Sequence, residues 1–254
     1  MGLTIGVVTE TAPGERRVAL VPEVLRKLLA ADVRVLVQAG AGVAARIPDA
    51  NFEGAEIIPD AAAVLSAADV LLKVQPPSED EVAALRSGAT VGGFMQPHRQ
   101  ATMIRALCDK NMTSLAMELV PRISRAQSMD ALSSQAAVAG YKAVLQGAAA
   151  LDKFMPMLTT AAGTIRPAQA LIIGAGVAGL QAIATARRLG AVVEAFDVRS
   201  ATKEQVESLG AKFVDTGVSA EGEGGYAREL TAEERAQQQA ALDDHIARAD
   251  LLIT

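Results

Sequence analysis

The run Gly174-Ala175-Gly176-Val177-Ala178-Gly179 follows the apolar stretch Ala170-Leu171-Ile172-Ile173 and opens a helical pattern. A strand that turns through glycines into a helix confines its surroundings to an open, doubly wound α/β domain. In that setting Gly174 permits the tight turn and Gly176 lets the backbone approach a pyrophosphate. Gly179 lets helix and strand pack closely. Val177 and Ala178 start the helix, whose unpaired N–H groups and positive dipole end suit phosphate. Asp197 ends the next strand, 18 residues after Gly179, close to the spacing of about 20 expected for a ribose-binding acid. A carboxylate there accepts hydrogen bonds from the adenosine ribose and repels a 2′-phosphate, which favours NAD over NADP. Val198 and Arg199 follow, and Arg199 softens that preference.

The rest of the chain keeps the same rhythm. Strand-like runs at residues 4–8, 33–37, 69–74, 90–94 and 114–117 alternate with helical patterns at 22–31, 78–86 and 99–110. Such alternation predicts βαβ units and mainly parallel sheets. A long helix is predicted over residues 128–153, with Ser128 as its N-cap, Asp130 at the positive end of its dipole, and Leu132, Ala136, Ala139 and Ala143 on one face. Pro156 ends it. A second α/β series runs from residue 168 to the final strand-like residues 250–254. The expected organisation is a first α/β domain at 1–127, a connecting helix at 128–153, and a Rossmann-type nucleotide domain at 154–254, with a cleft between the two domains. The sequence stops on the fourth strand of that second series. A six-stranded dinucleotide domain has a further half, so the C-terminal part of the domain is expected to be missing from this chain.

Composition narrows the classes. Half of the 254 residues are apolar, which excludes a disordered chain. Only 3% are aromatic and tryptophan is absent, so Ala, Val, Leu and Ile must build the core. One cysteine excludes an internal disulfide and a cysteine-type zinc centre. Cys108 reads as a small packing residue. The net charge of −5 with interspersed signs gives no case for nucleic acid. No apolar run approaches the length of a spanning helix, and no signal peptide is legible. The chain therefore reads as soluble and intracellular. Neither histidine, His98 nor His245, has metal-ligand spacing or a local partner, so both read as solvated.

Three further groups carry polar chemistry. Arg122, Gln127, Asp130 and Ser133 lie just before and within the first turn of the long helix. Arg122 and Asp130 can pair, Gln127 and Ser133 offer donors and acceptors suited to a carboxamide, and the group reads equally as a capped helix start. Residues 217–229 place four glycines before Tyr226. On composition this is a flexible surface loop, and its alternative is a lid with an aromatic tip. Arg16 and Lys73 lie near the carboxyl ends of first-domain strands, where α/β ligands bind. They read as surface charge, or as a site for a carboxylate or phosphate.

The segments ETAPGERRVALVPE (10–23), KVQPP (73–77), RAQSMDALSSQAAVAGYKAV (125–144), GAGVAGLQAI (174–183), FDVRSATKEQVESLGAKFV (196–214) and GGYARE (224–229) occur in one order. Together they closely resemble the NAD(H)-binding component, domain I of the alpha subunit, of proton-translocating NAD(P) transhydrogenases. Alanine dehydrogenase is a more distant relative. The resemblance implies that this chain binds NAD(H), that a partner domain III binds NADP(H), and that hydride passes directly between the two nicotinamides. It further implies a membrane domain II that couples the transfer to proton translocation, a homodimer, and a place on the cytoplasmic face of the inner membrane through partner subunits. By the same resemblance Arg122, Gln127, Asp130 and Ser133 surround the nicotinamide, Asp197 holds the adenosine ribose, and Tyr226 sits on a loop that closes over the nucleotide. Arg16 and Lys73 match substrate-binding positions of the dehydrogenase relatives.

The alternative reading is an NAD-dependent amino-acid dehydrogenase of the alanine type. Such an enzyme needs proton transfer, and in alanine dehydrogenases a histidine follows the Phe94-type strand. Here Gln96 stands in that place, with His98 two positions off. Direct hydride transfer needs alignment and exclusion of water rather than a general acid or base.

Overall fold

The computed structural model describes residues 2–218 and 228–254. The chain divides into two compact units, Met1–Ala131 and Leu132–Thr254.

The first unit runs β1 (Thr4–Val7), α1 (Pro22–Ala30), β2 (Arg34–Gln38), β3 (Glu56–Ile58), α2 (Ala61–Ala67), β4 (Val70–Leu72), α3 (Glu79–Ala84), β5 (Thr90–Gly93), α4 (Ala101–Asp109) and β6 (Thr113–Ala116). Its strands pair in parallel in the order β3-β2-β1-β4-β5-β6, so the winding reverses between β1 and β4. Alternate residues of β2 go to opposite faces. Val35 and Val37 join Val7, Leu25 and Phe52, while Leu36 joins Val64, Leu71, Val91 and Leu107. Both faces are apolar, which is why the strands read as continuous apolar runs. Pro22 opens α1, where its missing N–H costs nothing. Asp60 caps α2, and Ser78 and Glu81 form a capping box on α3. β3 and α2 have no counterpart among the elements expected from sequence. β3 is three residues long and largely exposed, and α2 is alanine-rich with little periodicity.

The second unit contains α5 (Ala131–Ala150), the antiparallel hairpin β7 (Leu158–Thr160) and β8 (Gly163–Ile165), β9 (Gln169–Ile173), α6 (Val177–Arg188), β10 (Val192–Phe196), α7 (Lys203–Ser208), β11 (Lys212–Phe213), α8 (Ala232–Arg248) and β12 (Leu251–Ile253). Its parallel sheet has the order β11-β10-β9-β12, with the reversal between β9 and β12. Ala170 and Ile172 face Val144 of α5 and Ile183 of α6, while Leu171 faces Phe196, Val214 and Leu242 of α8.

The long helix departs from expectation. Ser128 does not cap it. Residues Ser124–Met129 form a 3₁₀ turn, and Asp130, with non-helical dihedrals, directly precedes α5. The face buried most deeply is not that of Leu132, Ala136, Ala139 and Ala143. It is that of Gly140 and Val144, continued by Ala148 and Leu151, while Leu132 is exposed. Gly140 explains the choice. A Cβ there would collide with the backbone carbonyl of Ala178, and one at Gly147 would collide with Leu251. Small residues bring α5 into backbone contact with the start of α6.

Candidate functional site

The glycine turn sits at the carboxyl end of β9. Gly174 has φ +99°, a conformation L side chains rarely adopt, and its N–H donates to the Phe196 carbonyl at 2.7 Å. A Cβ on Gly179 would strike the carbonyl of Gly174, so only glycine lets α6 start this close to the strand. A Cβ on Gly176 would meet nothing within 4 Å. Among the described residues nothing fills the space beside Gly176, and their packing does not require glycine there. The N-cap of α6 is Gly176, which has no side chain to cap it, and the first-turn amides near Val177 and Ala178 have no intrahelical acceptors. Uncapped amides beside an open glycine fit a pyrophosphate.

Asp197 lies at the end of β10, 7% exposed. Its Oδ2 accepts from the Ala175 N–H at 2.7 Å and from Arg199 Nη2 at 2.9 Å. Its Oδ1 accepts from the Arg199 N–H and Nε, each at 2.9 Å. Burial alone raises the carboxyl pKa. The Arg199 guanidinium and the two amides outweigh it and hold Asp197 ionised below the usual carboxylate range. Val198 packs against the cluster of Leu171, Phe196 and Val214. Gly174, Gly176, Val177, Ala178, Gly179, Asp197, Val198 and Arg199 thus share one end of one sheet.

Arg122 and Gln127 are exposed and Asp130 is half-buried, all in the last stretch of the first unit; Ser133 is half-buried in the first turn of α5. Tyr226 lies outside the described residues.

The first unit holds a second polar group, at its own winding reversal between β1 and β4. Lys73 is not surface charge. It is 4% exposed, and its Nζ donates to Glu81 Oε1 and Oε2 at 2.6 and 2.8 Å, with Glu10 at 3.8 Å. Glu10, which follows β1, reaches the segment after β4, accepting from the N–H groups of Val74 at 2.5 Å and Gln75 at 3.2 Å. Beside it Glu15 accepts from Arg17 and Gln75, while Arg16 is exposed. Glu118 accepts from the N–H groups of Met95 and Gln96 and holds Gln96 at φ +46°. Sequence reasoning missed Glu10, Glu81 and Glu118. The one legible signal is the Ser78-x-x-Glu81 pattern, which marks a helix start and says nothing of Lys73.

Two smaller expectations are corrected. His245 is not solvated: its Nδ1 lies 2.6 Å from Glu194 Oε2, with 18% of the side chain exposed. Cys108 is exposed rather than packed. Among the described residues no group of three or more His, Cys, Asp and Glu is placed to hold a metal ion, and no helix is long and apolar enough to cross a membrane.

Comparison with known proteins accounts for nearly the whole chain. The family model described as alanine dehydrogenase/PNT, N-terminal domain, matches residues 6–139, and its C-terminal counterpart matches residues 143–254. The chain is 49% identical over 263 residues to an NAD(P) transhydrogenase alpha subunit polypeptide of Rhodospirillum rubrum, covering 99% of this chain and 68% of that protein. The crystal structure of transhydrogenase from Sinorhizobium meliloti superposes with a TM-score of 0.88 at 48% identity, over 98% of this chain and 68% of that one. Alanine dehydrogenase of Mycobacterium tuberculosis is 33% identical over 216 residues, covering 83% of this chain and 57% of that protein.

Proposed function

The chain belongs to the alanine dehydrogenase/PNT family, and from that premise we propose that it is the NAD(H)-binding component of a proton-translocating NAD(P) transhydrogenase. The observation that carries the reading is the glycine turn closed by Asp197: a strained Gly174, an open Gly176, an uncapped α6 and a buried ionised acid at one sheet end. The similarity to transhydrogenase alpha subunits supports the same conclusion.

In this reading the first-turn amides of α6 hold the pyrophosphate and Asp197 faces the adenosine ribose. Arg122, Gln127, Asp130 and Ser133 orient the nicotinamide. The bound dinucleotide supplies the hydride chemistry, and the chain's task is to align it and exclude water. NADP(H) is held by a partner domain III, and a membrane domain II provides the coupling. The working unit contains a homodimer of this chain and meets the membrane only through those partners. The amino-acid dehydrogenase alternative is disfavoured by Gln96, whose carboxamide cannot serve as a general acid or base, and by Lys73, which is already neutralised by Glu81.

The test is binding of NADH against NADPH to the 254-residue chain, followed by fluorescence of the dihydronicotinamide or by calorimetry. NADH binding with weak NADPH binding, and hydride transfer only on adding an NADP(H)-loaded domain III, is the expected result. Failure to bind NADH, or oxidation of L-alanine by the chain alone, overturns the reading.

A further inference from the structure

An ionised carboxylate offers about four acceptor positions, and Asp197 uses all of them inside its own chain. Two are taken by backbone amides, Ala175 N–H on Oδ2 and Arg199 N–H on Oδ1. The other two, one on each oxygen, are taken by the single guanidinium fork of Arg199. The backbone of Arg199 is held independently of that fork, since its carbonyl accepts from the Thr202 N–H at 3.1 Å and the Thr202 hydroxyl at 2.8 Å. The side chain can leave while the strand end stays in place. It is also the more accessible partner, with 28% of its side chain exposed against 6% for Asp197.

We propose that the Arg199 guanidinium is an internal stand-in for the ribose diol, displaced from Asp197 when a dinucleotide binds. Its departure frees one acceptor position on each carboxylate oxygen, which is the number two vicinal hydroxyls require. With the fork in place Asp197 has no lone pair to offer a ribose. Displacement leaves a cation at the ribose edge, where it faces any 2′-phosphate. The same residue thus weakens NAD(H) binding by competition and supplies the counter-charge for residual NADP(H) binding. The inference rests on the NAD(H) reading and adds a specificity-determining residue to it.

The experiment compares NADH and NADPH affinities of the unsubstituted chain with those of Arg199→Met and Arg199→Lys, together with the thermal midpoint of each ligand-free protein. Removing a competing conformation raises apparent affinity by the inverse of the fraction that was binding-competent before. Arg199→Met is therefore expected to bind NADH about three- to tenfold more tightly and NADPH no more tightly than before, with a lower ligand-free midpoint. Arg199→Lys keeps the charge and loses the fork, so it tightens NADH while retaining NADPH binding, and it carries the comparison if the Met variant does not fold. Equal or weaker NADH binding by the variants overturns the displacement, because a purely structural Arg199 leaves a disordered site behind when removed. Equal tightening of NADH and NADPH overturns the specificity role. Failure of the unsubstituted chain to bind NADH strikes the NAD(H) reading itself.

Discussion

The carboxylate of Asp197 accepts the backbone N–H of Ala175 at 2.7 Å, which ties the end of β10 to the middle of the glycine turn after β9. One buried bond joins the two elements of the proposed dinucleotide site: the acid assigned to the ribose and the turn assigned to the pyrophosphate.

Asp197→Asn tests this link. An amide can accept from Ala175 or from Arg199, but its NH₂ group then points at another donor, and the charge that strengthens all four bonds is gone. NADH affinity is expected to fall about tenfold or more, in line with the loss of charge-assisted bonds, while NADPH affinity changes less. Titration of both nucleotides checks this, and an unchanged NADH/NADPH ratio removes Asp197 as the selector.

Gly140 and Gly176 separate folding from binding. A Cβ at Gly140 would strike the Ala178 carbonyl, whereas a Cβ at Gly176 meets nothing within 4 Å among the described residues. Gly140→Ala is expected to cost about 1–3 kcal/mol in urea unfolding, the usual range for overpacking, despite the better helix propensity of alanine. Gly176→Ala is expected to leave stability within about 0.5 kcal/mol and to abolish most NADH affinity by filling the space proposed for the pyrophosphate. If both variants lose stability alike, Gly176 is a packing residue.

The Lys73–Glu81 pair predicts a stability effect in the first unit. Both side chains are largely out of water, at 2% and 14% exposure. Glu81→Ala leaves the Lys73 ammonium with only Glu10 at 3.8 Å and also dismantles the Ser78 capping box, so a loss of up to about 3 kcal/mol is expected. Adding Lys73→Met should restore part of it, because the buried ammonium is gone while Glu10 keeps its bonds from the Val74 and Gln75 N–H groups. Denaturant midpoints of the single and double variants decide; a double variant as unstable as Glu81→Ala would assign the loss to the cap.

Legibility in the sequence follows length and locality. The glycine turn and Asp197 are readable because steric rules act on consecutive residues and fix a strand–turn–helix order. The parallel sheets are readable from runs such as Val35-Leu36-Val37, which are apolar because both faces are covered. β3, α2 and the β7–β8 hairpin escape because each is too short to show a period. The face of α5 is legible only in part: Gly140 and the alanines mark where a neighbour comes close, but the helix is apolar nearly all round, and its partner at that point is the backbone of Ala178. The buried partners of Lys73 escape because Glu10 lies 63 residues away along the chain and meets it only through the pairing of β1 with β4.

Glu15 sets an expectation for pH. Hydrogen bonds from Arg17, joined by Gln75, hold its pKa at about 2 against burial, compared with 4.5 for an unperturbed glutamate. A depressed carboxylate contributes stability that is complete above its unfolded pKa and is lost as pH falls through its folded pKa. The Glu15 contribution is therefore complete above about pH 4.5 and disappears between there and about pH 2. Glu15→Gln should lower stability at pH 7 and flatten the pH dependence in that window. Urea midpoints measured at pH 7, 4 and 3 check it; parallel curves for the two proteins exclude Glu15 as a source of acid sensitivity.

Thr216 points the other way, toward a substitution that stabilises. It follows β11 on the same sheet end as Asp197, is 6% exposed, and its hydroxyl oxygen has no hydrogen-bond partner among the described residues. A buried hydroxyl without a partner costs about 1–3 kcal/mol relative to a satisfied one. Its backbone is secured separately, since its carbonyl accepts from Gln237 Nε2 at 3.4 Å. Thr216→Val keeps the branched shape and replaces the hydroxyl with a methyl. The ligand-free protein is therefore expected to gain up to about 1 kcal/mol, and Thr216→Ser to gain nothing because it retains the unpaired oxygen. Thermal and urea unfolding of the two variants, each with and without NADH, complete the test. A Val variant that is more stable alone but stabilised less by NADH would show that the hydroxyl finds its partner on the nucleotide. A Val variant less stable in both states would show that it has a partner in the chain.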